Sequence, residues 1–344
     1  MDLIGRSGRV EIDILRPGNY PLPQLLDEEN FASQMEEEAE PYLNRFKKTG
    51  MFGMRNELYY EIFPQHPNKG TVVICHGLME SSQKYHELIY YLLKAGFQAA
   101  VYDQRGHGRS ARSGQSPDIV HIDSFDEYTD DLHSFITQII DDEMVTPADR
   151  LFIFGHSFGG AVAAKYLEDY PGSFFRAILN CPMFEIDFGS FPSPALMALE
   201  TLMITLRQGN RRCIGQRPFD RRPNPARSGG RSESRYFYYH DIRVRNKEYQ
   251  TSGFDYYWAR EITKAGINIC RSIQVQKIRS DVLVIMAGQD NIAGRQAQEA
   301  FISKLKYGAA VLIPESRHET YTDHNNVLAS YLSLVMSWLE GSAQ

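Results

Sequence analysis

The segment Gly155-His156-Ser157-Phe158-Gly159 lies between an apolar run, Leu151-Phe152-Ile153-Phe154, and a small-residue stretch, Gly160-Ala161-Val162-Ala163-Ala164. This order predicts a strand that turns sharply into a helix with a serine at the tip. Such a turn tolerates only glycine at its flanks, because a larger side chain would collide across it. A strand leading directly into a helix is also the repeating unit of a parallel sheet, so the motif constrains the rest of the chain.

The remainder fits that constraint. Short apolar runs recur at Leu58 to Phe63, Thr71 to Cys75, Phe97 to Tyr102, Leu151 to Phe154, Ala177 to Asn180 and Val282 to Met286. Continuous apolar runs rich in β-branched residues suit strands buried on both faces. Between them, Tyr85, Leu88, Ile89 and Leu92 share one helical face, with Gly96 placed to end that helix. Phe125, Tyr128, Leu132, Phe135 and Ile139 form a second face, and Ser124 with Glu127 supplies an S-x-x-E capping box. The expected fold class is α/β, with a mostly parallel central sheet and helices on both faces.

The rhythm fails from Phe184 to about Gln276, where Pro192, Pro194, Pro218, Pro223 and Pro225, Gly229-Gly230 and the cluster Tyr236-Phe237-Tyr238-Tyr239 occur. It resumes at Val282. We therefore expect a core over 51–183 and 277–344, a cap inserted over 184–276, and an extension over 1–50. The acidic run from Asp27 to Glu40 in that extension reads as a solvated helical face.

With 42% hydrophobic and 23% charged residues, a chain of 344 residues can bury one large core. A net charge of -6 offers no general attraction to nucleic acid, and no nucleic-acid partner is expected. The four cysteines, Cys75, Cys181, Cys213 and Cys270, form no C-x-x-C pair, so neither a zinc site nor a disulfide framework is suggested. Met1 to Tyr20 lacks the basic segment and apolar stretch of a signal peptide, and no 18-residue apolar run is present. These features point to the cytoplasm, with peripheral contact at the inner membrane face left open.

A serine nucleophile needs a base, a carboxylate to orient that base, and amide donors for developing oxyanion charge. Asp290 directly follows the run Val282 to Met286, where an acid at a strand end would stand. Its competing role is to cap the following helix. His318 follows the run at Val311 to Ile313, and His324 is a second candidate base downstream. His76, His107 and His156 read as hydrogen-bonded loop residues. The backbone N-H of Phe158, next to the serine, and that of Leu78, after the Thr71 to Cys75 run, are the candidate oxyanion donors. Neither a metal nor an organic cofactor is required by this set.

Three further stretches extend the pattern: His76-Gly77-Leu78-Met79-Glu80-Ser81, Tyr102-Asp103-Gln104-Arg105-Gly106-His107-Gly108-Arg109-Ser110 and Ser124 to Leu132. With them the chain resembles the α/β-hydrolases, and within these the bacterial lysophospholipase and monoacylglycerol-lipase branch of the serine aminopeptidase-type hydrolases. Ile242-Arg243-Val244-Arg245, Tyr257-Trp258-Ala259-Arg260-Glu261 and His318-Glu319 add to the likeness, which runs from about Glu57 to Leu339 and is weakest over 205–235. The resemblance implies an α/β-hydrolase fold, a triad of Ser157, Asp290 and His318, oxyanion donors at Leu78 and Phe158, and hydrolysis of a fatty-acyl ester of a glycerol derivative. A lysophospholipid or a monoacylglycerol is the implied substrate.

The insertion carries nine arginines between Arg207 and Arg235 against only Asp220 and Glu233. Guanidinium groups pair with phosphate, so Arg221 and Arg222 are candidates for head-group binding, with Tyr257 and Trp258 as further substrate contacts. The same charge would suit an anionic membrane surface, or a solvated loop. Leu196, Met197, Leu199, Leu202 and Met203 could line an acyl tunnel. A prolyl aminopeptidase would share the fold and triad but would need cap carboxylates for a substrate ammonium. Haloalkane dehalogenases and epoxide hydrolases place an aspartate at the elbow, and a noncatalytic lipid binder would keep the elbow as architecture alone.

Overall fold

The structure, a computed structural model, describes residues 10–146, 150–186 and 193–341. Pro192, read above as punctuation of the insertion, and the start of the chain before residue 10 lie outside the described residues.

Nine strands form one sheet: β1 (Ile12–Ile14), β2 (Lys48–Phe52), β3 (Leu58–Phe63), β4 (Thr71–Cys75), β5 (Gln98–Tyr102), β7 (Leu151–His156), β8 (Arg176–Asn180), β10 (Asp281–Ala287) and β11 (Gly308–Ile313). Their order is β1-β11-β10-β8-β7-β4-β5-β3-β2. Pairing is parallel except where β3 meets β5 and β2. A two-stranded parallel ladder, β6 (Ile119–Val120) with β9 (Gly253–Phe254), lies apart from this sheet.

Each central strand is apolar throughout because both of its faces are covered. In β10, Val282, Val284 and Met286 join one apolar cluster while Leu283 and Ile285 join the other. The first layer contains α2 (Asp126–Phe135) and α3 (Phe158–Asp169), and the second contains α1 (His86–Lys94) and α8 (Asn325–Glu340). Gly96, with φ of 93°, ends α1 as expected. The capping box at α2 forms in part: Glu127 Oε1 accepts the Ser124 N-H at 3.1 Å, while Ser124 Oγ receives the Asp126 amide at 3.3 Å.

The segment before residue 50 departs from a solvated helix. Leu26, Phe31, Met35, Ala39 and Leu43 are buried in the second layer, and β1 and β2 close opposite edges of the sheet. Its acidic residues occupy the outward positions of a helix whose other face is apolar, which is why charge alone misreads it.

Between β8 and β10 stand α4 (Ser193–Thr205), α5 (Glu233–Arg245), β9 and α6 (Tyr256–Ile269). A final core helix, α7 (Arg295–Ile302), links β10 to β11. Helix α6 packs on α3, with the Trp258 and Phe158 ring centroids 5.4 Å apart. The β6–β9 ladder ties this part of the chain to the loop after β5.

Candidate active site

The turn from β7 into α3 holds Ser157 at φ 54° and ψ −120°, a left-handed conformation that costs a non-glycine residue energy. The neighbouring glycines make it possible. A Cβ on Gly159 would stand 2.1 Å from the Cys75 carbonyl oxygen, and one on Gly155 would stand 2.6 Å from the Gly159 oxygen. The serine backbone is pinned on both sides: its N-H donates to the Asn180 carbonyl at 2.9 Å, and its carbonyl accepts the Met183 N-H at 2.9 Å.

Two loops on other strand ends complete the arrangement. Asp290 follows β10 and His318 follows β11, so three parallel strands deliver their side chains to the carboxyl end of the sheet. His318 Nδ1 lies 2.8 Å from Asp290 Oδ2, and His318 Nε2 lies 2.7 Å from Ser157 Oγ. An ionised carboxylate only accepts, so Nδ1 carries the proton and Nε2 presents its lone pair to the serine hydroxyl. Burial works to raise the Asp290 carboxyl, but the hydrogen bond and charge of His318 and the amides of Ile292 and Ala293 hold it below its ordinary value. Asp290 thus accepts from the imidazole and from the amides of the following turn at once.

The rival His324 stands elsewhere, with Nδ1 2.8 Å from Glu28 Oε2 at the start of α8. His156 is buried against Asn180, and desolvation holds it down to about 3, so its ring is neutral. His76 accepts the Gln104 N-H at Nε2 and donates from Nδ1 to the Gly77 carbonyl, which makes it a brace between two loops.

Leu78 and Phe158 amides donate to no protein acceptor among the described residues. The loop carrying Leu78 is fixed by Glu80, a residue whose role the sequence reading did not identify. Its buried carboxylate accepts from the Gly77 N-H at 2.7 Å, Tyr85 at 2.6 Å, Lys84 at 2.7 Å and Tyr321 at 2.9 Å. Burial alone would raise this carboxyl, but Lys84 and the hydrogen bonds hold it well below the ordinary carboxylate range. The partners come from distant parts of the chain, so no local spacing reveals them. Cys181 was likewise missed: its sulfur lies with Asp290 and His318 ligand atoms in a group spanning 4.8 Å. Burial pushes the Cys181 thiol well above its ordinary value.

The expected substrate contacts fare differently. Trp258 is fully buried, its Nε1 donating to Tyr128 at 3.1 Å, so it is a core residue and offers no surface to a ligand. Its burial is not legible in the sequence, because an aromatic residue in a family-like motif carries no mark of which way it faces. Tyr257 is half-buried and packs on His121 and Arg260. Arg221 and Arg222 are exposed, and the Arg222 side chain, 89% accessible, pairs with Asp220. Neither lines the cavity of about 300 Å³ that opens beside Leu78 and Met79.

A family model described as serine aminopeptidase, S33, matches residues 66–325. The chain is 34% identical over 212 residues to lysophospholipase L2 of Escherichia coli strain K12, covering 59% of this chain and 58% of that one. It thus spans less than two thirds of that relative's length. It is 24% identical over 302 residues to the probable lysophospholipase L2 of Haemophilus influenzae, covering 87% and 94% of the two chains. Among solved structures, it is similar to a monoacylglycerol lipase of Paleococcus ferrophilus, with a TM-score of 0.64, 21% identity and coverage of 83% and 99%. Solved lipases and esterases with this likeness share the α/β-hydrolase fold, as the strand order and elbow already indicate.

Proposed function

The chain belongs to the serine aminopeptidase S33 family of α/β-hydrolases, and from that premise we propose that it is a serine carboxylic-ester hydrolase that cleaves the fatty-acyl ester of a lysophospholipid. The observation carrying this reading is the hydrogen-bonded chain from Asp290 through His318 to Ser157. The names of the Escherichia coli and Haemophilus influenzae relatives favour a lysophospholipid over a peptide. The excess of arginine over carboxylates in the insertion also argues against capture of a substrate ammonium. A monoacylglycerol is the second substrate, favoured by the monoacylglycerol lipase of like fold.

In this reaction His318 Nε2 takes the Ser157 proton as Oγ bonds to the ester carbonyl carbon, and the Leu78 and Phe158 amides hold the resulting oxyanion. The imidazolium gives that proton to the departing glycerol oxygen, leaving an acyl-serine. Water, activated by the same imidazole, then releases the fatty acid and restores the serine.

The segment over 184–276 acts in this reading as a cap over the nucleophile, and 51–183 with 277–344 as the catalytic core. The exposed arginines Arg207, Arg211, Arg217, Arg221, Arg222 and Arg227 would hold the enzyme against the anionic inner face of the membrane. No helix among the described residues is long and apolar enough to cross a bilayer.

The test is turnover of lysophosphatidylethanolamine, monoacylglycerol, a short nitrophenyl ester and a proline anilide by the native chain and Ser157→Ala. We expect ester cleavage by the native chain alone, with the variant slower by up to about a millionfold. Cleavage of the anilide alone, or full activity in the variant, would reject the proposal.

A further inference from the structure

The nine arginines that suggested a phosphate site are mostly spent or solvent-facing. Arg235 is buried in a bidentate pair with Glu87 at 2.7 and 2.8 Å, and Arg212 pairs with Asp118. A tenth arginine, Arg243 on α5, lies outside that cluster and is held differently. It lines the same cavity as Leu78 and Met79, together with Ile292 and Glu319, which neighbour Asp290 and His318 in the chain.

Arg243 makes no ion pair among the described residues. Its Nε donates to the Tyr249 carbonyl at 2.9 Å and its Nη2 to the Thr251 carbonyl at 2.8 Å. The guanidinium carbon stands 4.6 Å from the Phe219 ring centroid, and a second ring, Tyr239, lies at 6.0 Å. Two carbonyls and two rings thus fix the plane of a cation while leaving its Nη1 donors and one Nη2 hydrogen uncommitted.

The other cations of the cavity wall differ from it: Arg227 is exposed to solvent, and two are already held by carboxylates. Lys84 lies between Glu80 at 2.7 Å and Glu319 at 2.6 Å, and Arg235 is paired with Glu87. One preoriented guanidinium without a carboxylate is suited to a single negative charge that offers paired oxygens, the chemistry of a phosphodiester. We propose that Arg243 binds the head-group phosphate of the lysophospholipid and sets the preference for it over an uncharged monoacylglycerol. This rests on the ester-hydrolase reading above and replaces Arg221 and Arg222 in the head-group role.

The experiment compares the native chain with Arg243→Gln and Arg243→Lys on lysophosphatidylethanolamine and monoacylglycerol of equal acyl length. A nitrophenyl butyrate assay runs in parallel, with glycerophosphoethanolamine or inorganic phosphate as competitor. The expected result for Arg243→Gln is a loss of tenfold or more in kcat/KM for the lysophospholipid, carried by KM, with monoacylglycerol turnover within twofold of native. Arg243→Lys should recover part of that loss. Glycerophosphoethanolamine should compete in the native chain and not in Arg243→Gln, and inorganic phosphate should compete more weakly.

Equal losses on both lipids would assign Arg243 a structural role and overturn the proposal, as would unchanged discrimination. Phosphate competing as well as the glycerol diester would point to free anion binding and overturn it too. If Arg243→Gln does not fold, native competition and the partial recovery in Arg243→Lys decide alone, and absence of either overturns the assignment. Nitrophenyl butyrate cleavage with no phosphate effect sinks the subsite while sparing the hydrolase reading. No ester cleavage by the native chain sinks both.

Discussion

The corner around Ser157 and the stretch from Arg207 to Arg227 are both rich in polar side chains, but they use them in opposite ways. At the corner, Ser157, His318, Asp290 and Glu80 are fixed by bonds between loops at strand ends, two of which, Ser157 to His318 and Glu80 to Tyr321, join residues more than a hundred apart in the chain. In the arginine-rich stretch, Arg207, Arg211, Arg217, Arg221, Arg222 and Arg227 face solvent, and Arg222 finds its carboxylate two residues away. Buried polar groups need specific partners, whereas exposed ones interact weakly through water and salt. Position at the corner is therefore a geometric requirement, and in the basic stretch charge alone matters.

That contrast can be broken most severely at Trp258, which the fold places under the elbow helix. Trp258→Ala should cost about 3 to 5 kcal/mol of stability by emptying a packed core site, measured by chemical denaturation. A stable variant with only a raised KM would restore Trp258 to the substrate surface.

A smaller effect is expected at the far end of the same helix. Glu168 is buried with neither carboxylate oxygen bonded to a described residue, and desolvation, only partly offset by Lys165, raises it to about 9. Because this folded-state value lies above the ordinary carboxylate range, ionisation of the unfolded chain favours unfolding as pH rises. Stability should be highest below about pH 4.5 with respect to this group and decline until about pH 9. Glu168→Gln should remove that slope and gain roughly 3 kcal/mol or less at pH 7, read from melting curves across the range. An unchanged slope would mean that the carboxyl is solvated.

The mildest change is expected in the basic stretch. Replacing Arg221 and Arg222 by alanine should leave stability within about 0.5 kcal/mol and nitrophenyl ester turnover within twofold. Binding to vesicles rich in phosphatidylserine should weaken by about 1 kcal/mol per charge removed. A large loss of turnover on a soluble ester would place these arginines at the chemistry.

How much could be read beforehand follows the same division. The apolar runs from Leu58 to Met286 located six strands because both faces of a parallel sheet must be filled, and the elbow was readable because its glycines are a backbone necessity. The edge strands β1 and β2 escaped notice: one has three residues, and Lys48, Thr49 and Met51 in the other are exposed. At the site, Ser157, Asp290 and His318 were legible as candidates because each follows a strand. Glu80 and Arg243 were not legible as site residues, because their significance lies in contacts with residues remote in the chain or in the absence of a partner. Arginine density drew attention to Arg221 and Arg222, but density measures charge and not orientation.

The central claim is that Ser157 Oγ is a nucleophile activated by His318. Intact-mass spectrometry after treatment with a fluorophosphonate tests it most directly, with peptide mapping of the adduct. The account predicts one covalent adduct per chain on Ser157, absent in Ser157→Ala and formed more slowly in Asp290→Asn. Folded native protein that gains no mass, or an adduct on another residue, would contradict it.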